Sequence, residues 1–442
     1  MVVGLGDYCS EVLREHGCPS VSVAVAEKGE VVLAEAYGWA DVAAGRAATP
    51  DTAYTLASVT KPITAVAVCL AADDGLLDLD GPVAGEYRWP GPAPTVRQLL
   101  RHRGGLAAHY DFRYGPGERR IDADRYATLF REPGSGFEYS NLGYRILGLT
   151  LEAATGRPLA EFVRERVFAP LGLVHCGLGP TFPGAAPTAS RYTADGRAYP
   201  AYDSSHPGAS LGWAPAGELA VFALSYERLL RPETAAAVRE ALPVHDHLGY
   251  GLGWCVSRTS DPVVQSHGGG MGGVAAMLVA VPERDLSVAV LTNSTGKAAR
   301  DAVVGRVLGA LVPGFTPESI SPAVPEASHP LDLPAGTWAG TIATPERDVP
   351  VGLRVLTGGR AELELDGESK VSTADASAEW DLRAVFPLQL PTADARINSP
   401  LLGLRLRYDS GRLTGLAQAY KDGDRDGLLG NLLSHGCRLK PC

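Results

Sequence analysis

The sequence predicts a protein of two domains, an α/β domain whose helices pack on a sheet and a small antiparallel all-β domain behind it. A chain of 442 residues is too long for one small core, so two domains are the natural expectation. Apolar β-branched runs stand at both ends of residues 1–312 with helical segments between them, which indicates a sheet assembled from distant segments. Beyond a break at 313–330, short runs that alternate apolar and polar residues predict a small barrel or sandwich over 331–442.

In the first domain, an amphipathic stretch near Asp7–His16 is followed by two β-branched runs that predict a hairpin turning at Lys28-Gly29. Further helices are expected at about 58–72, 144–154, 159–168 and 297–311. The apolar runs GVAAMLVAV and LSVAVLTN predict two late strands around a turn at 282–285.

The break between the domains is the segment PGFTPESISPAVPEASHP, residues 313–330, which is rich in Pro and Ser. It lacks apolar periodicity and is predicted to be a linker. The runs GLRVL, AELEL, GLRLRY and GLAQAY behind it alternate apolar and polar residues without a helical period. We therefore expect antiparallel strands in this part of the chain.

The composition argues against several classes of function. The net charge of -10, without a basic patch, argues against nucleic acid or an anionic membrane as a partner. No apolar run approaches the ~18 residues of a membrane helix, and the start MVVGLGDYCSEVLREHG lacks the features of a secretory signal, so a cytoplasmic protein is expected. The 7 cysteines form no CxxC pair, which predicts neither a zinc site nor a disulfide framework, and no cofactor is expected.

The first element that can carry chemistry is Ser58-Val59-Thr60-Lys61, at the start of a predicted helix. A spacing of three places the serine and the lysine on one helix face, and the helix N-terminus favours developing negative charge. A serine hydroxyl needs a base to act as a nucleophile, and a lysine with a depressed pKa can serve. The alternative is an N-cap serine followed by a surface lysine, because S-x-x-K is common by chance.

The second element, Tyr139-Ser140-Asn141, lies in a predicted loop just before the helix at Tyr144. A tyrosine ionised by nearby positive charge can act as a general base, and the amide of Asn141 can hydrogen-bond a substrate. Taken alone, a buried tyrosine and a capping asparagine are the simpler interpretation.

The third element is His267-Gly268-Gly269-Gly270, directly before the strand predicted from Val274. Glycines at such a place allow a ligand carbonyl to approach backbone N–H groups closely. A Gly-rich turn that leads into the strand explains the same residues equally well.

In this order, S-x-x-K, Y-x-N and H-x-G resemble the serine β-lactamase and penicillin-binding-protein superfamily, in its class C β-lactamase-like branch of esterases and D-amino-acid peptidases. Longer runs carry the resemblance across residues 15–312: DTAYTLASVTKPITAVAV, TVRQLLRHRGGL and GSGFEYSNLGYRILGLTLEAATGRPLAEFVRERVFAPLGL. Gly104 stands where the second run usually has Ser. The resemblance implies a β-lactamase-like α/β (α+β) domain, with an antiparallel sheet flanked by helices and an all-helical part.

The resemblance also implies catalytic roles. Ser58 would be the nucleophile, and its proton would be shared by Lys61 and Tyr139. Tyr139 would later protonate the leaving group, while Asn141 would orient both the substrate and Lys61. His267 stands where β-lactamases carry the Lys of KTG, which weakens a fixed positive charge and argues against penicillin hydrolysis as the main activity.

The resemblance implies roles for the three glycines after His267 as well. The backbone N–H groups of Ser58 and Gly270 would form the oxyanion hole of the family, and Gly268 and Gly269 would lie along the bound substrate.

Three other motifs are predicted to be inert. The run at 208–212, GASLG, fits the G-x-S-x-G elbow of α/β-hydrolases, but no apolar strand precedes it. The run at 422–427 begins like a calcium loop, but Leu433 stands at position twelve, so a solvated turn is expected. His245-Asp246-His247 is expected to be a surface turn rather than a metal site.

The resemblance implies that Ser58 accepts an acyl group from a donor. Which acceptor then receives that acyl group stays open at this point. The chain resembles penicillin-binding-protein-type thioesterases, which cyclise nonribosomal peptides and carry a lipocalin-like C-terminal barrel; this implies a transacylase or peptide cyclase of natural-product biosynthesis. The same arrangement occurs in D-aminopeptidases, so hydrolysis of esters or D-amino-acid amides is the alternative. A β-lactamase or a non-catalytic binding protein is disfavoured. The implied partners are a small-molecule or peptidyl acyl donor and an amine acceptor.

Overall fold

The computed structural model describes residues 2–85, 87, 89, 91–115, 120–320, 327–395, 399–424 and 427–442. Its helices are α1 (Leu5–Glu15), α2 (Thr60–Asp73), α3 (Val96–Leu100), α4 (Asn141–Thr155), α5 (Leu159–Val163), α6 (Pro207–Ser210), α7 (Ala216–Ser225), α8 (Pro232–Arg239) and α9 (Ala298–Leu311). Single 3₁₀ turns occur at Ala57–Val59, Ala123–Tyr126, Ala169–Leu171, Tyr226–Leu229, Pro282–Arg284 and Pro317–Ser319, and Arg164–Phe168 continues α5 as a π-helix.

The strands of the first part are β1 (Ser20–Glu27), β2 (Glu30–Asp41), β3 (Arg46–Ala47), β4 (Tyr54–Thr55), β5 (Gly177–Leu178), β6 (Gly212–Ala214), β7 (Leu242–His245), β8 (Leu248–Tyr250), β9 (Cys255–Ser257), β10 (Gln265–Met271), β11 (Val274–Val281) and β12 (Leu286–Thr292). In the described part of the chain, nine of them form an antiparallel sheet in the order β3-β2-β1-β12-β11-β10-β9-β8-β7. The first strands thus pair with the last ones, as the sequence predicts.

The hairpin of β1 and β2 turns at the predicted residues. Lys28 and Gly29 have φ angles of 55° and 82°, which suits a two-residue turn with left-handed backbone at both positions. The turn brings Glu27 opposite Glu30. On its other side β1 pairs with β12, where Val21 lies opposite Thr292.

The sheet is buried on both faces, which explains its continuous apolar runs. On β12, Val288 and Val290 belong to the core formed with α1 and α9. Ala289 and Leu291 point to the opposite face and join the core formed with α2, α4 and α7. The sheet therefore lies between two layers of helices, and α2, which follows Ser58, is almost entirely buried.

The second part is a closed antiparallel barrel. Its strands are β13 (Gly336–Ala343), β14 (Asp348–Leu356), β15 (Arg360–Leu365), β16 (Glu368–Asp375), β17 (Leu382–Phe386), β18 (Leu401–Asp409), β19 (Arg412–Tyr420) and β20 (Leu432–Pro441). Each pairs with its neighbour in sequence, and β13 pairs with β20 to close the barrel. Alternating buried and exposed residues along β14 and β15 give the period that predicts these strands.

A loop of the first part, residues 108–114, joins the barrel, and we call it the cleft loop. Tyr110 and Leu432 exchange two backbone hydrogen bonds of 2.9 Å. The backbone N–H of Phe112 donates to Asn431 Oδ1 at 2.9 Å. The barrel therefore contacts the chain close to the predicted Tyr139-Asn141 element, because Asn141 is anchored on this same loop.

The predicted fold class is confirmed: a helix-flanked antiparallel sheet precedes a closed β-barrel. The boundaries at 312 and 331 stay predictions, and residues 321–326 of the predicted linker lie outside the described residues. The interpretation of His267–Gly270 as a turn is wrong, because these residues pair with β11 as part of strand β10. Among the helices that the structure describes, none is long and apolar enough to cross a bilayer.

Candidate active site

Ser58 lies in the 3₁₀ turn Ala57–Val59, directly before α2, and is only 7% exposed. Ala57 has a φ of 48°, a left-handed conformation that residues with a Cβ rarely adopt. Such backbone strain costs about 1–3 kcal/mol and persists where the surrounding structure imposes it. Strain next to a buried serine marks this turn as a candidate nucleophile position.

Lys61 follows in the first turn of α2, and its amine reaches three oxygen atoms. Lys61 Nζ lies 3.2 Å from Ser58 Oγ, 2.7 Å from Asn141 Oδ1 and 3.2 Å from the Ala209 carbonyl oxygen. The orientation of the Asn141 amide is fixed, because its Nδ2 donates to the His109 carbonyl oxygen at 2.9 Å. The amide oxygen of Asn141 therefore faces Lys61.

Burial sets the protonation state of Lys61. The side chain is 0% exposed, and desolvation holds the pKa of Lys61 well below its ordinary value. A neutral amine has two N–H groups and one lone pair. In that neutral form, with the Asn141 and Ala209 oxygens accepting the two hydrogens, the lone pair faces Ser58, as general-base catalysis requires.

Tyr139 lies beside the same pair, immediately before Ser140, the N-cap of α4. Its ring centroid is 4.6 Å from Lys61 Nζ. Burial and the nearby Tyr110 raise the pKa of Tyr139 well above its ordinary value, although the neighbouring Ser58 side chain acts to lower the pKa of Tyr139. The lowered pKa of the amine and the raised pKa of the phenol make Lys61 the better base and Tyr139 the better acid.

His267 points to Tyr250 and offers no positive charge. Its Nε2 lies 3.0 Å from the Tyr250 hydroxyl, and its Nδ1 lies 2.8 Å from the Gly268 carbonyl oxygen. Since a carbonyl only accepts, Nδ1 carries the proton and Nε2 accepts from Tyr250. Burial and the nearby Lys61 lower the pKa of His267 to about 3, so the ring is neutral at physiological pH.

The glycines of β10 allow this strand to approach the serine turn. A Cβ on Gly269 would lie 2.2 Å from the Leu56 carbonyl oxygen and 3.3 Å from Ala57 Cβ. Gly270, the next residue, is close to the Lys297 side chain. Strand β9 pairs with β10 at Gln265 and Ser266, so within the described ranges the edge from 267 to 271 is left without a strand beside it. This open edge borders Ser58.

The structure thus brings Ser58, Tyr139 and Asn141 around the amine of Lys61 and places β10 next to the Ser58 turn. A family model described as Beta-lactamase matches residues 6–311, well over half of the chain. The chain belongs to the β-lactamase family. The predicted superfamily is confirmed by this match.

Relatives of this β-lactamase-family chain carry hydrolase names. Esterase EstB from Burkholderia gladioli is 38% identical over 196 residues, which cover 38% of this chain and 49% of the esterase, about half its length. D-aminopeptidase from Brucella canis is 26% identical over 412 residues, 85% of this chain and 75% of that protein. The solved structure of SurE with D-Leu has a TM-score of 0.67 and 26% identity, with 98% of both chains covered. The prediction of an enzyme of the serine-hydrolase class is confirmed.

His102 is a site residue that the three β-lactamase-type motifs do not include. Its ring centroid lies 4.2 Å from that of Tyr139, and its Nδ1 accepts the Ser140 backbone N–H at 3.2 Å. It adopts a left-handed φ of 54°. The run TVRQLLRHRGGL contains His102, but nothing in the sequence alone shows that the ring packs against Tyr139.

The three motifs expected to be inert also have defined places. The run 208–212 forms the short helix α6 and the start of β6, so no strand leads into Ser210. In the candidate calcium loop, Asp424 accepts a hydrogen bond from Tyr199 at 2.9 Å, and Arg425 and Asp426 lie outside the described residues. His245 ends β7 and the exposed His247 precedes β8, so this segment is a surface turn.

Proposed function

We propose that this protein transfers acyl groups through an ester on Ser58, and that an amine is the preferred acceptor. The donor is an ester, thioester or amide, and the product is a new amide. The observation that carries the proposal is the arrangement around Lys61 Nζ, which lies 3.2 Å from Ser58 Oγ, 2.7 Å from Asn141 Oδ1 and 3.2 Å from the Ala209 carbonyl oxygen. In its neutral form this amine turns its lone pair to the serine.

In the acylation step, the proton of Ser58 Oγ passes to Lys61 Nζ as Oγ bonds to the donor carbonyl carbon. The negative charge on the carbonyl oxygen is taken up by the backbone N–H groups of Ser58 and Gly270. The bond to the leaving group then breaks, and Tyr139 donates its phenolic proton to that group while Lys61 returns a proton to Tyr139. Lys61 Nζ is already 3.2 Å from Ser58 Oγ and 4.6 Å from the centre of the Tyr139 ring.

In the second step, the acceptor amine attacks the Ser58 ester and gives its proton to the neutral Lys61 or through Tyr139. The ester bond breaks, Ser58 Oγ recovers a proton, and the amide leaves. Exclusion of water favours an amine over hydrolysis, because both acceptors compete for one acyl group. The burial of Ser58 and Lys61, and the contact of the cleft loop with the barrel, support this choice.

The stereochemistry of the donor follows from the relatives. One is named D-aminopeptidase, and the solved structure of SurE contains D-Leu. We therefore include in the proposal that the acyl donor presents a D-configured residue at the carbonyl that Ser58 attacks. The open edge of β10 supports a peptidyl donor, because an extended backbone pairs with such an edge.

Hydrolysis is the second candidate function. It is supported by the names esterase and D-aminopeptidase and requires the same acyl-enzyme, with water in place of the amine. Penicillin is disfavoured as the substrate by the neutral ring of His267, which supplies no fixed charge for a carboxylate. The cytoplasmic location stays a prediction from the sequence.

The test uses the methyl ester of N-acetyl-D-leucine and its L-enantiomer as a matched pair, with and without D-leucine amide as acceptor. Intact-mass analysis of the quenched enzyme is expected to show an adduct with the D-ester that is absent in Ser58→Ala. Product analysis is expected to show more amide than free acid when the amine is present. If every amine tried yields free acid alone, the chain is a hydrolase; if Ser58→Ala keeps the adduct, the nucleophile is a different residue.

A further inference from the structure

Next to Lys61 lies a second cluster of polar residues, buried and centred on Asp111 of the cleft loop. Asp111 is 3% exposed, and its carboxylate accepts from both the N–H and the hydroxyl of Ser205. Asp111 Oδ1 also lies 3.3 Å from His109 Nε2 and 3.5 Å from His206 Nε2. Burial acts to raise the pKa of Asp111, but these partners outweigh it and lower the pKa to about 2. The cluster therefore holds a buried carboxylate.

Ser210, His206 and Asp111 have the residue types of a hydrolase triad, but the histidine is oriented the wrong way for that role. His206 Nε2 accepts the Asp111 backbone N–H at 3.4 Å, so it carries no proton. The proton is on Nδ1, which donates to Ser210 Oγ at 2.8 Å. A general base must take a proton from its serine, whereas His206 gives one. Ser210 is therefore not activated.

The glycines of the same G-x-S-x-G run have a packing reason. A Cβ on Gly212 would lie 2.7 Å from Thr60 Oγ1, and one on Gly208 would lie 3.2 Å from the Tyr144 carbonyl oxygen. Thr60 Oγ1 accepts the Gly212 N–H at 2.8 Å, and Thr64 donates to the Gly208 carbonyl oxygen at 2.7 Å. The run is thus held against α2, the helix that carries Lys61.

Two series of contacts connect the Asp111 carboxylate to the amine of Lys61. In the first, His109 contacts the Asp111 carboxylate, and its carbonyl oxygen fixes the Asn141 amide that accepts from Lys61. In the second, Ser205 and His206 bind Asp111 and lead directly into α6, where the Ala209 carbonyl oxygen accepts from Lys61. Both oxygens that take the hydrogens of Lys61 are therefore held by one carboxylate.

We infer that Asp111 is a positioning residue for acylation: by tying the cleft loop to residues 205–210, it fixes the Asn141 and Ala209 oxygens and so directs the lone pair of Lys61 at Ser58. This inference rests on the proposed Ser58 acyl-enzyme. It gives the G-x-S-x-G run a function as part of the support of Lys61.

The test compares Asp111→Asn, which keeps the size of the side chain but cannot accept from Ser205 with both oxygens, with Asp80→Asn. Asp80 is a surface residue whose carboxylate accepts from Arg97, and its side chain is 66% exposed. Single-turnover acylation by a reactive aryl ester is expected to slow at least ~10-fold in Asp111→Asn, with KM changed less than ~2-fold, because a misplaced base lowers the rate of the chemical step. Asp80→Asn is expected to keep the wild-type rate.

A purely structural role would lower the melting temperature and leave the acylation rate of the folded protein unchanged. An acylation rate in folded Asp111→Asn within ~2-fold of wild type, or a loss confined to KM, therefore overturns the inference. If Asp111→Asn does not fold, Ser205→Ala keeps the carboxylate and removes one of its donors. It is expected to slow acylation ~3-fold, and an unchanged rate in that folded variant overturns the inference as well.

The aryl ester keeps this test separate from the proposed function. Loss of the adduct in Ser58→Ala together with normal acylation in Asp111→Asn defeats the role of Asp111 and leaves the acyl-enzyme intact. An adduct that persists in Ser58→Ala defeats both.

Discussion

Two serines of this chain each stand beside a nitrogen base, and they differ in the direction in which the proton is shared. Ser210 Oγ is 2.8 Å from His206 Nδ1, whereas Ser58 Oγ is 3.2 Å from Lys61 Nζ. Both serines are buried, at 4% and 7% exposure. By distance and residue type, Ser210 resembles a nucleophile at least as closely as Ser58.

The other hydrogen-bond partners of each base favour Ser58 as the nucleophile instead. His206 Nε2 is occupied by a backbone N–H, which leaves the ring as a donor to Ser210. Two carbonyl-type oxygens contact the Lys61 amine, so the neutral amine, which has only two hydrogens, is an acceptor toward Ser58. The other hydrogen-bond partners of a base therefore decide whether that base can take a proton from its serine. The glycines of β10 also allow this strand to approach the turn that carries Ser58.

The largest expected effect is the loss of activity in Ser58→Ala, which distinguishes Ser58 directly from Ser210. Ser58→Ala is expected to lower kcat/KM for an activated ester by at least ~10⁴-fold, because removal of the nucleophile leaves only binding and the oxyanion hole. Ser210→Ala is expected to retain a covalent adduct on Ser58, found by mass mapping of the labelled peptide. An adduct on Ser210, or its loss in Ser210→Ala alone, would reverse the comparison.

Removal of the Lys61 amine is expected to lower the activity by a smaller factor than removal of the Ser58 hydroxyl. Lys61→Met keeps the length of the side chain without a base, and kcat is expected to fall ~10³-fold, within the usual range for a positioned general base. The melting temperature is the control, since the methionine fits a fully buried site. A variant that is folded and retains more than about a tenth of the wild-type kcat would show that Lys61 is not the base.

The glycine edge of β10 is tested by Gly269→Ala. The added Cβ would lie 2.2 Å from a backbone oxygen of Leu56, so the turn that carries Ser58 must shift. A displacement of this kind is expected to reduce kcat ~10–100-fold. Gly305→Ala is the matched control, because a Cβ at this position of α9 meets nothing within 4 Å. Equal activities of the two variants would contradict the close approach.

Much of this arrangement could be predicted from the sequence. Helix α2, which carries Lys61, is an apolar run with the motif at its start, and Tyr139 and Asn141 stand at the start of α4. The Ala209 carbonyl could not be predicted, because a backbone oxygen leaves no signature in the residue type. His102 and Asp111 come together with the site only through the fold of the loops, which have no periodicity.

The remaining differences also have physical reasons. A turn at His267–Gly270 was one of two interpretations, because glycines have low strand propensity, but pairing with β11 and the close packing on Leu56 override that preference. In the barrel, β16 was not predicted, because its residues Glu368–Asp375 are largely exposed on both faces and show no apolar alternation.

The smallest expected effect is in the pH dependence. Desolvation lowers the pKa of Lys61, and protonation removes the base, so kcat/KM is expected to fall as the pH falls through a value well below 10.5. Burial lowers the pKa of His206 to about 4. His206→Gln is expected to leave the acidic limb of the pH profile within about 0.3 units of its wild-type position. A shift of a full unit would assign that limb to His206.

The contact between the cleft loop and the barrel has a consequence for the modularity of this chain. Tyr110 pairs with Leu432 of the barrel, and its neighbour His109 holds the Asn141 amide that orients Lys61. The barrel thus supports the loop that positions the Lys61 amine. A chimaera that exchanges the barrel between relatives would have to carry its matching cleft loop, or the exchange would change the position of that amine.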